Sequence, residues 1–286
     1  MSRRPRVAIV GHVEWATHAL GAFPAPGEIR ALEDAFEEPA GGGSVAAAQA
    51  AKLGAETYFF TALGADSAGD ASHMVLAELG ITIHAAVRPE PQTRAISVTG
   101  PGGDRAIALI GGPLSPAAGD PLEWGDLAEM DAVYFTGRDP ETLAACRAAR
   151  VLVATARRWP VLADAAVECD VIVGSANDPD ERVPSGALAV APRAWVMTDG
   201  LRGGRWIEQH DRPRTWEAVP PPGPIVDSYG CGDAFAAGLT VGLGAGWSLA
   251  DAVALGARCG AHTITARGGL RGQLTDTITR TEPTPT

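Results

Sequence analysis

The stretch Asp227-Ser228-Tyr229-Gly230-Cys231-Gly232-Asp233 is followed by an apolar run, residues 234–243, with the composition of a buried helix. Two glycines one residue apart let the backbone turn its N–H groups toward one point, and a helix start adds the positive end of its dipole. The stretch therefore predicts a socket for an anion. Asp233 would repel a resident anion unless a group between them gave up a proton. We therefore interpret Asp233 as a general base for a hydroxyl that attacks a phosphoryl group, whose charge the Gly230–Gly232 amides stabilise.

The same spacing also suits a simple glycine turn whose aspartate caps the following helix. The first interpretation is favoured because the stretch resembles the signature Asp-Thr/Ser-x-Gly-Ala/Cys-Gly-Asp of the ribokinase-like (PfkB-type) carbohydrate kinases. The resemblance follows the element order of nearly the whole chain. It implies an ATP-dependent kinase for a hydroxyl of a small sugar or sugar-like alcohol, with Mg²⁺ as cofactor and K⁺ as a candidate second cation.

Length and composition agree with such an enzyme. The chain has 286 residues, 46% of them hydrophobic, enough for a large core, and we expect one kinase domain over residues 1–274 with a flexible tail over 275–286. A net charge of −11 argues against a nucleic-acid or anionic-membrane partner. No apolar run is long enough to span a bilayer, no signal peptide is evident, and the four cysteines lack metal or disulfide spacing. These features predict a cytosolic protein.

Apolar strand-like runs alternate with helical segments along most of the chain. Apolar strands without polar alternation indicate a sheet covered on both faces by helices. We therefore expect an α/β fold with a doubly wound, mostly parallel sheet, the fold that the resemblance implies as well. The predicted strands are 6–11, 56–63, 132–136, 151–154, 171–174 and 194–198, and the predicted helices are 45–53 capped by Ser44, 67–79, 122–130, 140–149, 161–167, 234–243 and one starting at Ser248.

A second, smaller group of strands interrupts this alternation. Residues 25–38 and three short β-like runs within 81–110 predict a small β-sheet, with a hairpin turn at 100–104. The runs are 81–87, 94–99 and 105–110. In the family such a sheet is a lid over the substrate and often a dimer contact, so we expect a homodimer through it. Arg94 or Arg105 would reach the pocket from this lid, although isolated arginines are more commonly surface residues.

The resemblance places substrate contacts at two positions near the N-terminus, and this chain departs from the family at both. Glu14 and Ala16 stand where the family has Asn and Asp, and Val45 stands where it has another Asn. We expect substrate contacts from His12, Glu14, Gly41, Gly42, Gly43 and Asp233. Glu14 as an ordinary loop carboxylate, and the glycines as a tight strand-to-helix connection, remain open alternatives.

The resemblance places ATP and the cations at later strand ends. Ser175-x-x-Asp178 stands in the place of the family's Asn-x-x-Glu, with Asn177 and Glu181 shifted, so we expect Asp178 to contact Mg²⁺ through water. Asp178 capping the turn before Pro179 is the alternative. The expected ATP contacts are Ser175, Thr198, Gly200, Gly203 and Gly232, and the expected monovalent-cation site joins Asp227 to residues 264–269.

Three other functions compete with the sugar kinase. Cys231 at a helix start has the position of a nucleophile, but the sequence supplies no partner for it. A nucleoside kinase would stack Trp15 on a base. A nucleotide- or metabolite-binding protein with little kinase activity would have no need of Asp233. Trp206 and Trp216 are interpreted as core or hairpin aromatics.

Overall fold

The computed structural model describes residues 3–100, 105–209 and 211–279. The predicted hairpin turn falls largely on residues 101–104, outside the described residues, as does the end of the predicted tail. The strands are β1 Arg6–Val10, β2 Glu14–Leu20, β3 Glu33–Ala40, β4 Glu56–Gly64, β5 Thr82–Arg88, β6 Arg94–Thr99, β7 Arg105–Ile110, β8 Ala132–Phe135, β9 Leu152–Thr155, β10 Val171–Ser175, β11 Ala194–Thr198, β12 Gly204–Glu208 and β13 Arg214–Trp216. The α-helices are α1 Gly42–Lys52, α2 Ser67–Glu78, α3 Pro140–Cys146, α4 Trp159–Ala165, α5 Cys231–Gly244 and α6 Leu249–Thr263.

The main sheet has the strand order β13-β12-β11-β10-β9-β8-β1-β4-β5. All its pairings are parallel except those of β12 and β13. Strand β1 shows why its apolar run is continuous: Val7 and Ile9 enter the core with α1, α5 and α6, whereas Ala8 and Val10 enter the core with α3. The predicted doubly wound, mostly parallel sheet is confirmed.

The start of α1 differs from the prediction. Gly41, with φ 86°, is the residue before the helix, and helical backbone begins at Gly42. Ser44 does not cap the helix, because it lies inside the first turn and its hydroxyl donates to the main-chain oxygen of Ala40 at 2.5 Å. The predicted cap at Ser248 of α6 is confirmed, since its hydroxyl accepts from the N–H of Asp251 at 3.2 Å.

The small sheet has the order β3-β2-β6-β7, which differs from the prediction at three segments. Strand β5 belongs to the main sheet, where it pairs in parallel with β4. Because β5 lies at the edge of the main sheet and is half exposed, its sequence mixes polar and apolar residues as a lid strand would. Strand β2 was missed, because buried polar residues, Glu14 and His18, interrupt its apolar pattern. Residues 25–32 form no strand, so the predicted lid segment 25–38 starts its strand only at Glu33.

The longer connections carry short 3₁₀ turns in place of full helices. The segment predicted to be helical before Met130 is a 3₁₀ helix, Trp124–Glu129, and the connection from β10 to β11 holds the 3₁₀ turn Pro179–Glu181. Among the described residues, no helix has the length and apolar character that crossing a bilayer requires.

The base of the small sheet packs against the signature stretch through buried His18. Its ring stacks on Phe36 with centroids 5.1 Å apart and meets Tyr229 edge-on at 4.8 Å. Glu38, next to it, accepts hydrogen bonds from the N–H groups of Gly269 and Leu270. Burial lowers the pKa of His18 to about 4. The neutral ring therefore joins the lid to the signature stretch as an aromatic packing group.

This burial predicts a pH-dependent stability. Between the unfolded pKa of about 6.5 and the folded value of about 4, the unfolded chain binds the extra proton, so the free energy of unfolding falls as the pH falls. The slope from one histidine is at most about 1.4 kcal/mol per pH unit. We predict that His18→Phe, which keeps the aromatic packing, reduces this loss. Urea unfolding at about pH 7.5 and about pH 5 checks it, with exposed His73→Gln as the control; equal losses in wild type and His18→Phe would contradict it.

Candidate active site

The predicted anion socket has the expected backbone conformation. Gly230 precedes α5 with φ 73° and ψ 0°, in the left-handed region that glycine tolerates. A Cβ at this position would lie 2.9 Å from Val45 Cγ1 and 3.0 Å from the Cα of Gly269. The first N–H groups of an α-helix have no partners within the helix. The residues that carry them, from Cys231 to Asp233, line a cleft of about 660 Å³.

Gly232 has a different reason to be glycine. A Cβ at Gly232 would meet nothing within 4 Å, and its φ is not positive. Alanine is favoured over glycine in a helix, so the packing of the chain itself does not account for this residue. The open space above Gly232 belongs to the cleft and offers room for a ligand.

Asp233 lies where the cleft meets the start of α1. A Cβ at Gly42 would lie 2.9 Å from Asp233 Oδ1 and 3.3 Å from the hydroxyl oxygen of Thr136. Burial raises the pKa of Asp233 above its ordinary value, while the charges of His12, Arg157 and Arg105 act in the opposite direction. The carboxyl is therefore desolvated, as the basicity of a general base requires, but close to cations that keep it ionisable.

The predicted substrate residues cluster on the other side of Gly42. A Cβ at Gly41 would lie 3.0 Å from His12 Cδ2 and 3.3 Å from Glu14 Cγ. His12 Nε2 and Glu14 Oε1 are 3.5 Å apart, and the Tyr229 hydroxyl donates to Glu14 Oε2 at 3.5 Å. Glu14 is buried, which contradicts the alternative of an exposed loop carboxylate. Gly43 packs tightly, since a Cβ there would lie 2.6 Å from the main-chain oxygen of His12.

Ala16 and Val45 stand at the two positions where the family has polar sugar contacts. Both side chains are fully buried in one apolar cluster with Tyr229. Val45 packs against Gly230, so its role in this chain is to support the turn before α5.

The cleft brings together all the residues predicted to contact ATP, namely Ser175, Thr198, Gly200, Gly203 and Gly232. Gly203 has φ 86°, and a Cβ there would lie 2.0 Å from the main-chain oxygen of Trp216. Trp206 and Trp216 lie in the β12–β13 hairpin, with Trp206 in the core, as predicted. Trp216 also lines the cleft and stacks on Phe235 at 5.8 Å, a contribution to the site that the sequence did not indicate.

The acidic residues after β10 are arranged around an arginine that sequence reasoning missed. Arg157 forms ion pairs with Asp178, Asp180 and Glu181. Asp178 also accepts from the N–H of Asp180 at 2.9 Å, which is the capping alternative. Glu181 reaches back to accept from the N–H of Ser175 at 2.6 Å, and burial raises its pKa. Nothing in the sequence spacing joins Arg157 to this acidic run, because the contact crosses from β9 to β10.

The fit of the two expected cations differs. Within the described ranges, no group of three or more His, Cys, Asp or Glu side chains is placed to hold a metal ion. If Mg²⁺ binds through water and phosphate oxygens, its usual mode beside nucleotides, Asp178 and Glu181 are carboxylates of the cleft lining that would contact its waters. Asp227 is buried and its carboxylate accepts from the N–H groups of Tyr229 and Gly268, at 3.0 and 3.1 Å. Both carboxylate oxygens therefore already join the two loops.

The sequence also suggested roles for three further side chains, those of Cys231, Arg94 and Arg105. Burial raises the pKa of Cys231 to about 12, which removes the thiolate that a nucleophile needs. Arg105 lines the cleft from the start of β7, and its Nη1 donates to the Ser228 hydroxyl at 2.6 Å. Arg94 lies 3.8 Å from Asp66 and is not among the residues that line the cleft. Arg105 is therefore the lid arginine of the site.

Comparison with known proteins agrees with this fold and with a carbohydrate kinase. The family model of the pfkB family carbohydrate kinases matches residues 5–275. The chain is 27% identical over 228 residues to the fructoselysine 6-kinase of Escherichia coli K12, covering 76% of this chain and 86% of that one. Its fold is similar to Arabidopsis thaliana ribokinase complexed with ribose and ATP, with TM-score 0.76, 18% identity, and 95% and 96% of the two chains covered. A microbiome-derived acarbose kinase gives TM-score 0.79 at 21% identity, with coverage of 95% and 96%.

The fold and the site thus define a kinase of the ribokinase type. The chain belongs to the pfkB family of carbohydrate kinases.

The open space above Gly232 leads to a prediction. Gly232→Ala should leave the melting temperature unchanged or slightly higher, because alanine favours the helix by up to about 1 kcal/mol. The new methyl group would occupy the space above the helix start, and we predict a loss of turnover of about 100-fold, comparable to losing one anion-hole donor. Steady-state rates and thermal melts check this. The control is Gly125→Ala, because a Cβ at Gly125 would also meet nothing within 4 Å and this residue does not line the cleft. Wild-type turnover in Gly232→Ala would contradict it.

Proposed function

We propose that the chain transfers the γ-phosphoryl group of ATP to a hydroxyl of a small sugar or sugar-like alcohol, with Asp233 as the general base. The observation that carries this proposal is the position of Asp233, in the first turn of α5, beside Gly42 and at the wall of the large cleft. The acceptor hydroxyl lies between Asp233 and the γ-phosphate. His12, Glu14 and the glycines Gly41, Gly42 and Gly43 surround the rest of the acceptor.

Charge stabilisation complements proton removal in the proposed reaction. As the hydroxyl attacks, Asp233 takes its proton, and the main-chain N–H groups of Gly230, Cys231 and Gly232 stabilise the negative charge on the transferring phosphoryl. Mg²⁺, when bound, offsets the charge of the phosphates. Arg157 holds Asp178 and Glu181 in place beside that position.

The nucleotide occupies the cleft in this proposal. Ser175, Thr198, Gly200, Gly203 and Gly232 lie along the phosphates and ribose. The apolar wall formed by Trp216, Ala257 and Ile264 suits the face of a base. The proposal of K⁺ at Asp227 rests on the family resemblance alone. Both carboxylate oxygens of Asp227 already accept main-chain hydrogen bonds, so the observed geometry adds no support for a cation there.

Replacing the base tests the mechanism. Asp233→Asn keeps the size of the side chain but removes its ability to accept the proton, so we predict a fall in kcat of about 10²–10⁴ with ATP binding retained. ATP consumption with a panel of sugars and nucleotide titration provide the two measurements. Wild-type turnover in Asp233→Asn would refute the assignment. If the wild-type protein binds ATP but consumes none of it with any acceptor in the panel, the alternative of a binding protein is favoured.

The nucleoside kinase alternative gains no support from the lid. Successive side chains of a strand point to opposite faces. Trp15 therefore points away from the face that carries Glu14 and Ala16. No observation places an aromatic ring of β2 beside Asp233, and the sugar acceptor remains the proposal.

Arg105 is proposed to bring positive charge from the lid to the transferring phosphoryl. Its charge lowers the pKa of Asp233, so Arg105→Ala should raise that pKa further. Because Asp233 acts in its ionised form, the acidic limb of the rate profile should move to higher pH, and kcat/KM at neutral pH should fall about 10–100-fold. Arg94→Ala, on the same sheet, is the control. An unshifted acidic limb in Arg105→Ala would contradict this role.

We also propose a homodimer through the lid sheet and a cytosolic location. Strand β7 is an edge strand that is exposed throughout, and its side chains include Ile107, Leu109 and Ile110. An exposed apolar edge strand is a common site of pairing with another chain. The four cysteines are free, which suits a reducing compartment.

A further inference from the structure

Two arginines near the end of β8 lack a carboxylate within 4.0 Å among the described residues, although the chain carries a net charge of −11. Arg158 follows β9, and its Nε donates to the main-chain oxygen of Thr136 at 3.2 Å. Arg138 lies two residues after Thr136 and is exposed. Neither guanidinium therefore forms an ion pair with a carboxylate within the part of the chain that the structure describes.

The neighbouring Arg157 shows how different this situation is. Arg157 is paired with three carboxylates, those of Asp178, Asp180 and Glu181. A guanidinium has five N–H donors, and Arg158 uses one of them within the described residues. Arg158 is also half-buried, so its remaining donors have restricted access to water. It is the less solvated and the less satisfied of the two adjacent arginines.

Thr136 connects this pair of arginines to the acceptor side of the site. The Thr136 hydroxyl lies beside Gly42, at the same point where Gly42 approaches Asp233 Oδ1. Burial lowers the pKa of Arg158 to about 10, the charges of Arg138 and Arg157 lower it further, and the charge of Asp233 raises it. An anion bound here would replace lost solvation and offset the repulsion between the cations.

We propose that the acceptor carries an anionic group, a carboxylate or a phosphate, and that Arg158 and Arg138 bind it beside Thr136 while the reacting hydroxyl faces Asp233. The inference rests on the proposed kinase function and names the substrate class of that site. The phosphates of ATP are the other source of the same chemistry. They are expected at the opposite side of Asp233, in the cleft, whose lining contains Arg157 but neither Arg138 nor Arg158.

Pairs of acceptors with the same skeleton test this inference. Each pair has a neutral sugar and its sugar-acid or sugar-phosphate counterpart, and ATP consumption gives kcat/KM for both. We expect the acidic member to be preferred by at least about tenfold, and Arg158→Ala and Arg138→Ala each to lower its kcat/KM by about 10–100-fold without changing the KM for ATP. Arg158→Lys should recover part of the loss. Arg212→Ala, an exposed arginine of the β12–β13 hairpin, is the control.

Several results would overturn the inference. One such result is turnover of neutral sugars only. Another is an equal loss of kcat/KM for the neutral and the acidic member of a pair in the arginine variants. Either result would rule out the anionic acceptor and leave the proposed kinase function intact. A rise in the KM for ATP in either variant would assign the arginines to the nucleotide. If thermal melts show that Arg158→Ala is unfolded, the exposed Arg138→Ala carries the test. ATP binding without consumption for any acceptor would overturn both the inference and the proposed function.

Discussion

The left-handed turn at Gly230 is the constraint on which the site depends. Its backbone packs against Val45 of α1 and Gly269 of the C-terminal loop, with no space for a side chain. Helix α1 begins at Gly42 and α5 at Cys231, and the two helices pack against each other. Two helix N-termini therefore meet at one place, and both contribute positive potential there. A larger residue at this turn would meet Val45 and Gly269 and would move the start of α5, with Asp233, away from Gly42.

The basicity of Asp233 is set by elements that are distant in sequence. Burial raises its pKa, and the opposing charges come from His12 after β1, Arg157 after β9 and Arg105 on β7. Only in the folded chain do these three segments lie close together. A carboxylate that must be deprotonated but still basic needs both influences, because burial alone would leave it protonated and cations alone would make it a poor base.

The sequence predicted what depends on local chemistry and missed what depends on pairing across the fold. The glycine turn before α5 and the apolar strands follow from residue type and spacing, whereas the glycines expected on the ATP side came from the family resemblance. Strand β2 could not be read, because Glu14 and His18 are polar residues buried by tertiary contacts. The sheet to which β5 belongs is likewise decided by its neighbour. Arg157 had no local signal, since its acidic partners lie beyond the next strand.

On the acceptor side of the proposed site, two residues differ from the polar contacts that the family resemblance implies. Ala16 and Val45 offer no polar atoms, so recognition of hydroxyls has to come from other side chains. The polar side chains around Gly41 are His12 and Glu14, and Glu14 is connected to the Tyr229 hydroxyl. Tyr229 belongs to the signature stretch itself. Under the proposed function, Glu14 would therefore link the acceptor to the anion socket, because its contact with the Tyr229 hydroxyl reaches the residue that precedes Gly230.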